Sequence, residues 1–259
     1  MDLLLDSKTA VVTGAGRGIG LATVKSLTAE GMRVVGAART ITPELKETGA
    51  VTVSADLSTA EGVRTVIDTA ITELGGIDLL VNNVGGGDLT LQGFLEIEDE
   101  QWLSLFNLNL LSTVRASRAA LPSLIERHGA IVNISTLSAR LPGTAPVAYA
   151  SAKAALTALG KALADQFGPQ GVRVNTISPG FVNSSIYDSP ENFGGQIASA
   201  FGMDIPTFLA QAPATLGLTT GRFVEPAEIA SLVAYLASGA AGSISGVDYI
   251  VDGGQFKAV

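Results

Sequence analysis

The stretch TAVVTGAGRGIG, Thr9 to Gly20, sets Gly14, Gly16, Gly18 and Gly20 within seven residues, directly behind a short apolar run. Glycine inside an element costs roughly 0.5–1 kcal/mol against alanine. Four so close together imply a task that only bare backbone performs. The run from Thr9 reads as a strand, and Ile19 to Glu30 reads as an amphipathic helix. Glycines between such elements permit a tight turn and let backbone N–H groups at the helix N-terminus approach a pyrophosphate. An ordinary glycine-rich turn is the competing account. The strand before and the helix after favour a dinucleotide site.

Outward from this turn, strand-like and helix-like runs alternate along the chain. RVVGAA (33–38), VTVSADL (51–57), IDLLVNNVG (77–85), GAIVNIS (129–135), VRVNTISPG (172–180) and GVDYIVDGG (246–254) follow as strands. Helices are expected near Pro43–Thr48, Thr59–Leu74, Glu98–Arg127 as one long stretch, Ala148–Phe167, and in EPAEIASLVAYLAS. The strands are unbroken Val/Ile/Leu runs rather than alternating ones, the pattern of a parallel sheet covered on both faces. About seven strands in this order predict an α/β, three-layer, doubly wound (Rossmann) fold over 1–259, a single dinucleotide-binding domain. The segment 184–221 breaks the alternation and reads as an irregular insertion rich in Ser, Gly, Pro and Phe.

Composition removes several function classes. The 259 residues hold no cysteine and one histidine, and 47% of them are apolar. Disulfides and thiolate metal sites are excluded, and no metal is expected. His128, in ERHG, reads as a cation at a helix C-terminus, so acid–base chemistry falls to Asp, Glu, Tyr or Lys. A net charge of −8 without a basic run argues against nucleic acid. The start MDLLLDSK is too polar for a signal peptide. The uncharged stretch 229–247 carries four serines and three glycines and does not read as a membrane span. A cytoplasmic globule is the expectation.

Four motifs then carry a family resemblance. The spacing Gly14-x-x-x-Gly18-x-Gly20 after Thr13, NNVG at Asn82–Gly85, YASAK at Tyr149–Lys153 and SPG at Ser178–Gly180 occur in order. Together they resemble the short-chain dehydrogenase/reductase family across Lys8–Gly254. The resemblance implies an oxidoreductase moving a hydride between a nicotinamide and a carbonyl or secondary alcohol. It implies Tyr149 as proton donor or acceptor and Lys153 as its pKa shifter and ribose ligand. Four residues apart on a helix, the two side chains share a face. A phenol near pKa 10 needs roughly 3–4 kcal/mol to become a base near neutrality. An ammonium about 4–5 Å away supplies that order of energy at an effective dielectric of about 20. Thr136 stands where the family has a serine that hydrogen-bonds the substrate oxygen, with Ser138 as the stand-in. Asn109 matches the asparagine that holds a relay water, and Asn107, on another face, does not.

For the cofactor, the resemblance implies contacts from Thr13, Gly14, Gly16, Arg17, Gly18, Ile19 and Gly20, then Asp56 and Leu57 at the adenine. Asn83, Val84 and Gly85 would line the middle, with Val84 where alanine is usual. Tyr149, Lys153, Pro179, Gly180, Val182 and Ser184 complete the set, Ser184 standing where threonine is more frequent. At the end of the second strand Ala38 occupies the place of an acid that would bind ribose hydroxyls. Arg39 follows, and Arg17 lies in the glycine turn. Guanidinium suits phosphate, so NADP(H) is expected over NAD(H).

Apolar residues in 184–221 (Ile186, Tyr187, Phe193, Phe201, Met203, Phe208 and Leu209), with Leu137, Pro142 and Val147, suggest a pocket for a hydrophobic ketone. Gly194, Gly195 and Gly202 would let this lid move. A carbonyl reductase is therefore the leading reading. A non-catalytic NADP-binding scaffold or redox-sensing regulator is the alternative, supported by Thr136 and opposed by Asn109, Tyr149 and Lys153. An isomerase or dehydratase of the sugar-nucleotide branch would need a larger domain beyond DGG. The resemblance also implies a homotetramer, or a homodimer, using the IASLVAYLA helix and the last strand, with QFKAV reaching a neighbour.

Overall fold

A computed structural model describes residues 2–87, 89 and 93–258. Seven strands form one sheet: β1 (Thr9–Thr13), β2 (Arg33–Ala38), β3 (Val51–Ser54), β4 (Leu79–Asn82), β5 (Ala130–Ile134), β6 (Arg173–Pro179) and β7 (Asp248–Val251). Their order is β3-β2-β1-β4-β5-β6-β7, every pair parallel. The chain winds one way from β1 to β3 and the other way from β4 to β7. The reversal between β1 and β4 opens a crevice at the carboxyl ends of the strands, where ligands bind in such sheets.

Burial follows the unbroken apolar runs. β1, β4 and β5 are buried at every residue, whereas the edge strands β3 and β7 are largely half-exposed. Alternate residues feed two cores. Ala10, Val12, Val34, Leu79, Val81 and Val132 face the helices α1 (Gly18–Ala29) and α9 (Pro226–Ala237). Val11, Val35, Leu80, Ile131 and Val174 face α3 (Ala60–Leu74), α5 (Ser112–Glu126) and α6 (Val147–Phe167). Between β2 and β3 lies the short α2 (Pro43–Lys46). Among the described residues no helix is long and apolar enough to cross a membrane.

Four expectations are corrected. The helix foreseen over Glu98–Arg127 is divided: α4 (Asp99–Phe106), then a π-helical turn at Asn107–Leu111, then α5. In that turn the Ser112 N–H bonds the Asn107 carbonyl five residues back. The segment 184–221 is not irregular, because it contains α7 (Phe193–Ala200) and α8 (Ile205–Thr215). Its aromatic residues build a small core of their own. Tyr187 stacks on Phe223 at 5.7 Å, Phe181 on Phe223 at 5.5 Å, and Phe208 is fully buried beside both Tyr187 and Phe223. Tyr187 and Phe208 thus pack the segment internally rather than lining a pocket. Gly194 and Gly195 are packing residues, not hinges: a Cβ would meet the Tyr187 ring at 2.4 Å or Pro190 at 2.5 Å. His128 does sit past the C-terminal end of α5, in the left-handed conformation (φ 49°).

Candidate active site

The glycine turn leads from β1 into α1. Gly14 and Gly18 have φ of 66° and 54°, conformations that glycine adopts without strain. Gly20 is required by contact, since a Cβ there would lie 2.1 Å from the Gly14 carbonyl oxygen. The turn is latched to β4. The Asn83 carboxamide donates to the carbonyls of Thr13 (2.9 Å) and Gly14 (3.0 Å). The Thr13 hydroxyl donates to Val81 O and accepts from the N–H groups of Asn83 and Val84. Thr13 and Asn83 therefore act through the backbone they hold.

The residues present fit a dinucleotide. α1 begins at Arg17 with no side-chain cap and no acid in its first turn, so its N–H groups and positive dipole end face the crevice uncompensated. A Cβ on Gly18 would find only Ser184 nearby, at 3.7 Å, so this backbone is bare toward the crevice. The same contact brings the loop after β6, which begins with Gly180 and runs through Val182, to the glycine turn at Ser184. Gly180 is pressed on Asp252, where a Cβ would come within 2.8 Å, and its N–H bonds Val251 O. At the tip of β2, Gly16 lies against Ala38 and the Thr40 carbonyl, each 3.3 Å from its would-be Cβ. Arg17 and Arg39 are exposed there. Asp56 is exposed nearby, its carboxyl held below the usual range by hydrogen bonds from Ser58 and by the Arg39 charge. Leu57 is buried.

The chemistry-bearing residues converge at the ends of β4 and β5. Asn109, in the π-helical turn, is fully buried. Its Oδ1 accepts from the Gly86 N–H, and its Nδ2 donates to the carbonyls of Gly86 and Leu105, all at 2.9 Å. Lys153 is 2% exposed and its Nζ donates to Ile134 O at 2.9 Å. Gly85 lies between them: a Cβ would stand 2.9 Å from Lys153 Nζ and 3.1 Å from Asn109 Oδ1. Ser135 ties β5 to α6 through the Lys153 carbonyl and the Thr157 hydroxyl. Thr136 accepts from the Ser138 N–H at 3.3 Å, and its hydroxyl stands near enough to Tyr149 to favour the phenolate. Ser138 is instead buried and paired with Thr144 at 3.1 Å. Of the two hydroxyls, Thr136 is the one that meets the phenol.

Electrostatics differ from the simple ion-pair expectation. Burial pushes the Tyr149 phenol up to about 12, against a smaller lowering by the Thr136 hydrogen bond, and Lys153 does not contribute. Burial pushes the Lys153 ammonium down to about 8. The lysine is turned to a backbone carbonyl, so desolvation governs both groups in the protein alone. Sequence reasoning gave Gly85 to the cofactor but missed Gly86, and also the Ile134 carbonyl that holds Lys153. The run of three glycines at 85–87 was the available signal.

The chain resembles known proteins over nearly its whole length. Residues 14–255 match the family model described as enoyl-(acyl carrier protein) reductase. The chain is 34% identical to the short-chain reductase protein NovJ of Streptomyces niveus, covering 95% of this chain and 93% of that one. It is 33% identical to the 3-oxoacyl-(acyl-carrier-protein) reductase FabG of Vibrio cholerae, covering 97% and 98%. A solved structure of L-sorbose reductase from Gluconobacter frateurii, in complex with NADPH and L-sorbose, superposes with a TM-score of 0.91 at 30% identity over 100% of both chains. The protein is an NAD(P)-dependent oxidoreductase acting between CH–OH and carbonyl groups, and its chain belongs to the short-chain dehydrogenase/reductase family.

Proposed function

We propose that the protein is an NADPH-dependent carbonyl reductase for an uncharged, hydrophobic ketone. The observation that carries this is the burial of the Tyr149 phenol, Lys153 and Asn109 at the ends of β4 and β5, with the Thr136 hydroxyl acting on that phenol. Bound NADP(H) supplies the hydride, or accepts it in the reverse direction. Tyr149 gives its proton to the carbonyl oxygen, and Thr136 orients that oxygen. A phenol at about 12 is fully protonated near neutrality, the form a reductase needs at the start of turnover. Lys153, held on Ile134 O beside Gly85, is placed to meet the cofactor ribose, and Asn109 holds the Gly86 backbone that shapes the floor.

The cofactor preference rests on Ala38 in place of an acid and on Arg17 and Arg39 at the same edge. The L-sorbose reductase relative holds NADPH. The substrate preference rests on residues 184–221, which contain no Lys or Arg but do contain Asp188, Glu191 and Asp204. Such a segment disfavours phosphorylated or acyl-carrier substrates, and its apolar side chains favour an uncharged ketone. Cytoplasmic location rests on the acidic, cysteine-free composition. A homotetramer or homodimer rests on family resemblance and the half-exposed edge strand β7.

The test is reduction of a panel of ketones with NADPH and NADH, with Tyr149→Phe alongside. Loss of turnover by about 10²-fold or more, with NADPH affinity unchanged in a fluorescence titration, is the expected result. Near-normal turnover by Tyr149→Phe, or tighter NADH binding, overturns the reading.

A further inference from the structure

The segment after β7 folds back over its own chain. Asp252, buried, receives the N–H groups of Gly254 at 2.8 Å and Phe256 at 2.7 Å on its two carboxylate oxygens. This bends the chain toward the far end of α8. There the Gly253 carbonyl accepts from Thr220 N–H at 2.9 Å, and the Thr219 hydroxyl donates to the Gly254 carbonyl at 3.1 Å. Gly253 and Gly254 have φ of 67° and 79°, and a Cβ on either would come within 2.7 Å of a threonine hydroxyl. The bend is therefore closed by bare backbone lying on Thr219 and Thr220.

Lys257 fastens it. Its Nζ donates to Gly217 O at 3.0 Å, to Thr219 Oγ1 at 2.8 Å and to Gly254 O. Gly217 O lies in the turn that follows α8, whose last carbonyls are already met by the N–H groups of Leu216, Gly217 and Leu218. One ammonium thus binds the turn after α8 to the post-β7 segment. The other end of that segment reaches the nicotinamide side of the crevice, because Asp252 is packed on Gly180. From Thr220 the chain runs on to Val224, which pairs with Val182 and bonds Phe181 and Asn183. The insertion is joined at its stem by Val182 and Val224, and held at its far end by Lys257.

We infer that Lys257 is a positioning residue for catalysis, acting through a strap, Asp252–Lys257, that sets α8 and the substrate-facing segment relative to the loop after β6. The inference rests on the reading of residues 184–221 as the substrate side. Lys257 touches neither Tyr149 nor the glycine turn, so its effect is on placement.

The test compares Lys257→Met and Lys257→Arg with the parent protein. Amide hydrogen exchange over 205–220 is measured with and without NADPH. KM and kcat are measured on the fastest-reduced ketone of the panel. Lys257→Met is expected to speed exchange over 205–220 and to raise KM about two- to fivefold, the order of losing one exposed hydrogen-bonded cation. NADPH affinity stays unchanged, and Lys257→Arg restores both readouts. Unaltered exchange in Lys257→Met overturns the strap. Faster exchange with unaltered KM and kcat overturns the positioning role. Because exchange needs no substrate, failure of the strap is distinguishable from failure of the ketone-reductase reading, which Tyr149→Phe tests separately.

Discussion

Asn109 grips Gly86 by both backbone groups: Oδ1 accepts its N–H and Nδ2 donates to its carbonyl, each at 2.9 Å. This joins the π-helical turn to the loop after β4 and accounts for a fully buried asparagine. A helix under local strain is tolerated where it aims a side chain that nothing else in the fold would aim.

Replacing Asn109 by Ala leaves the Gly86 N–H and carbonyl without their partner. A loss of about 3 kcal/mol in unfolding free energy is expected from urea denaturation, since an unpaired buried polar group costs about 1–3 kcal/mol. Asn109→Asp keeps the acceptor for Gly86 N–H but sets a carboxylate oxygen against the carbonyls of Gly86 and Leu105 in a buried site, so it loses at least as much stability as Ala. Its kcat falls with that of Ala if the Gly86 carbonyl placement matters to the reaction.

Lys153 predicts a pH dependence of stability. Its folded pKa, about 8, is below its ordinary 10.5, so between these values the unfolded chain binds more protons than the native one. Stability therefore rises with pH across that window. Below about 8 the cost of a buried ammonium is fully present, and its relief is worth on the order of 3 kcal/mol. Tyr149, raised from 10.0 to about 12, works oppositely: its contribution is present below 10 and is lost as pH rises toward 12. Urea unfolding at intervals from pH 7 to 11 should show a rise, and Lys153→Met should remove it.

Two glycines of the site should fail in different ways. Gly20→Ala sets a methyl 2.1 Å from a backbone oxygen, which cannot yield cheaply. Loss of both NADPH binding and thermal stability is expected. Gly85→Ala meets the end of a flexible side chain, Lys153 Nζ, at 2.9 Å. There the fold should persist in circular dichroism and calorimetry, while displacement of the ammonium from Ile134 O lowers kcat by about tenfold.

Much of this site was legible along the chain because its parts are local. Tyr149 and Lys153 are one helical turn apart, and the glycine turn lies between a strand and a helix that announce themselves by period. Thr136 and Ser138 were inseparable in sequence, being two residues apart in the same NISTLS run. They parted only because Thr144, on a later turn, captures the Ser138 hydroxyl. The aromatic residues of 184–221 misled for a similar reason: composition cannot say whether an apolar side chain faces a cleft or its own neighbours. Tyr187 and Phe208 meet Phe223, which lies beyond the segment.

Pattern along the chain was sufficient for seven parallel strands, for the alternating helices and for the bare turn behind β1, since each depends on residues within a few positions of one another. Contacts across the sheet settled the rest. The working state of Tyr149 and Lys153 follows from desolvation, which is a property of everything packed around them and of no short stretch. The grip of Asn109 on Gly86 and of Lys257 on Gly217 spans 23 and 40 residues. Partners so far apart meet only once the layers have closed, because loop-closure entropy is offset there by packing that no local segment supplies.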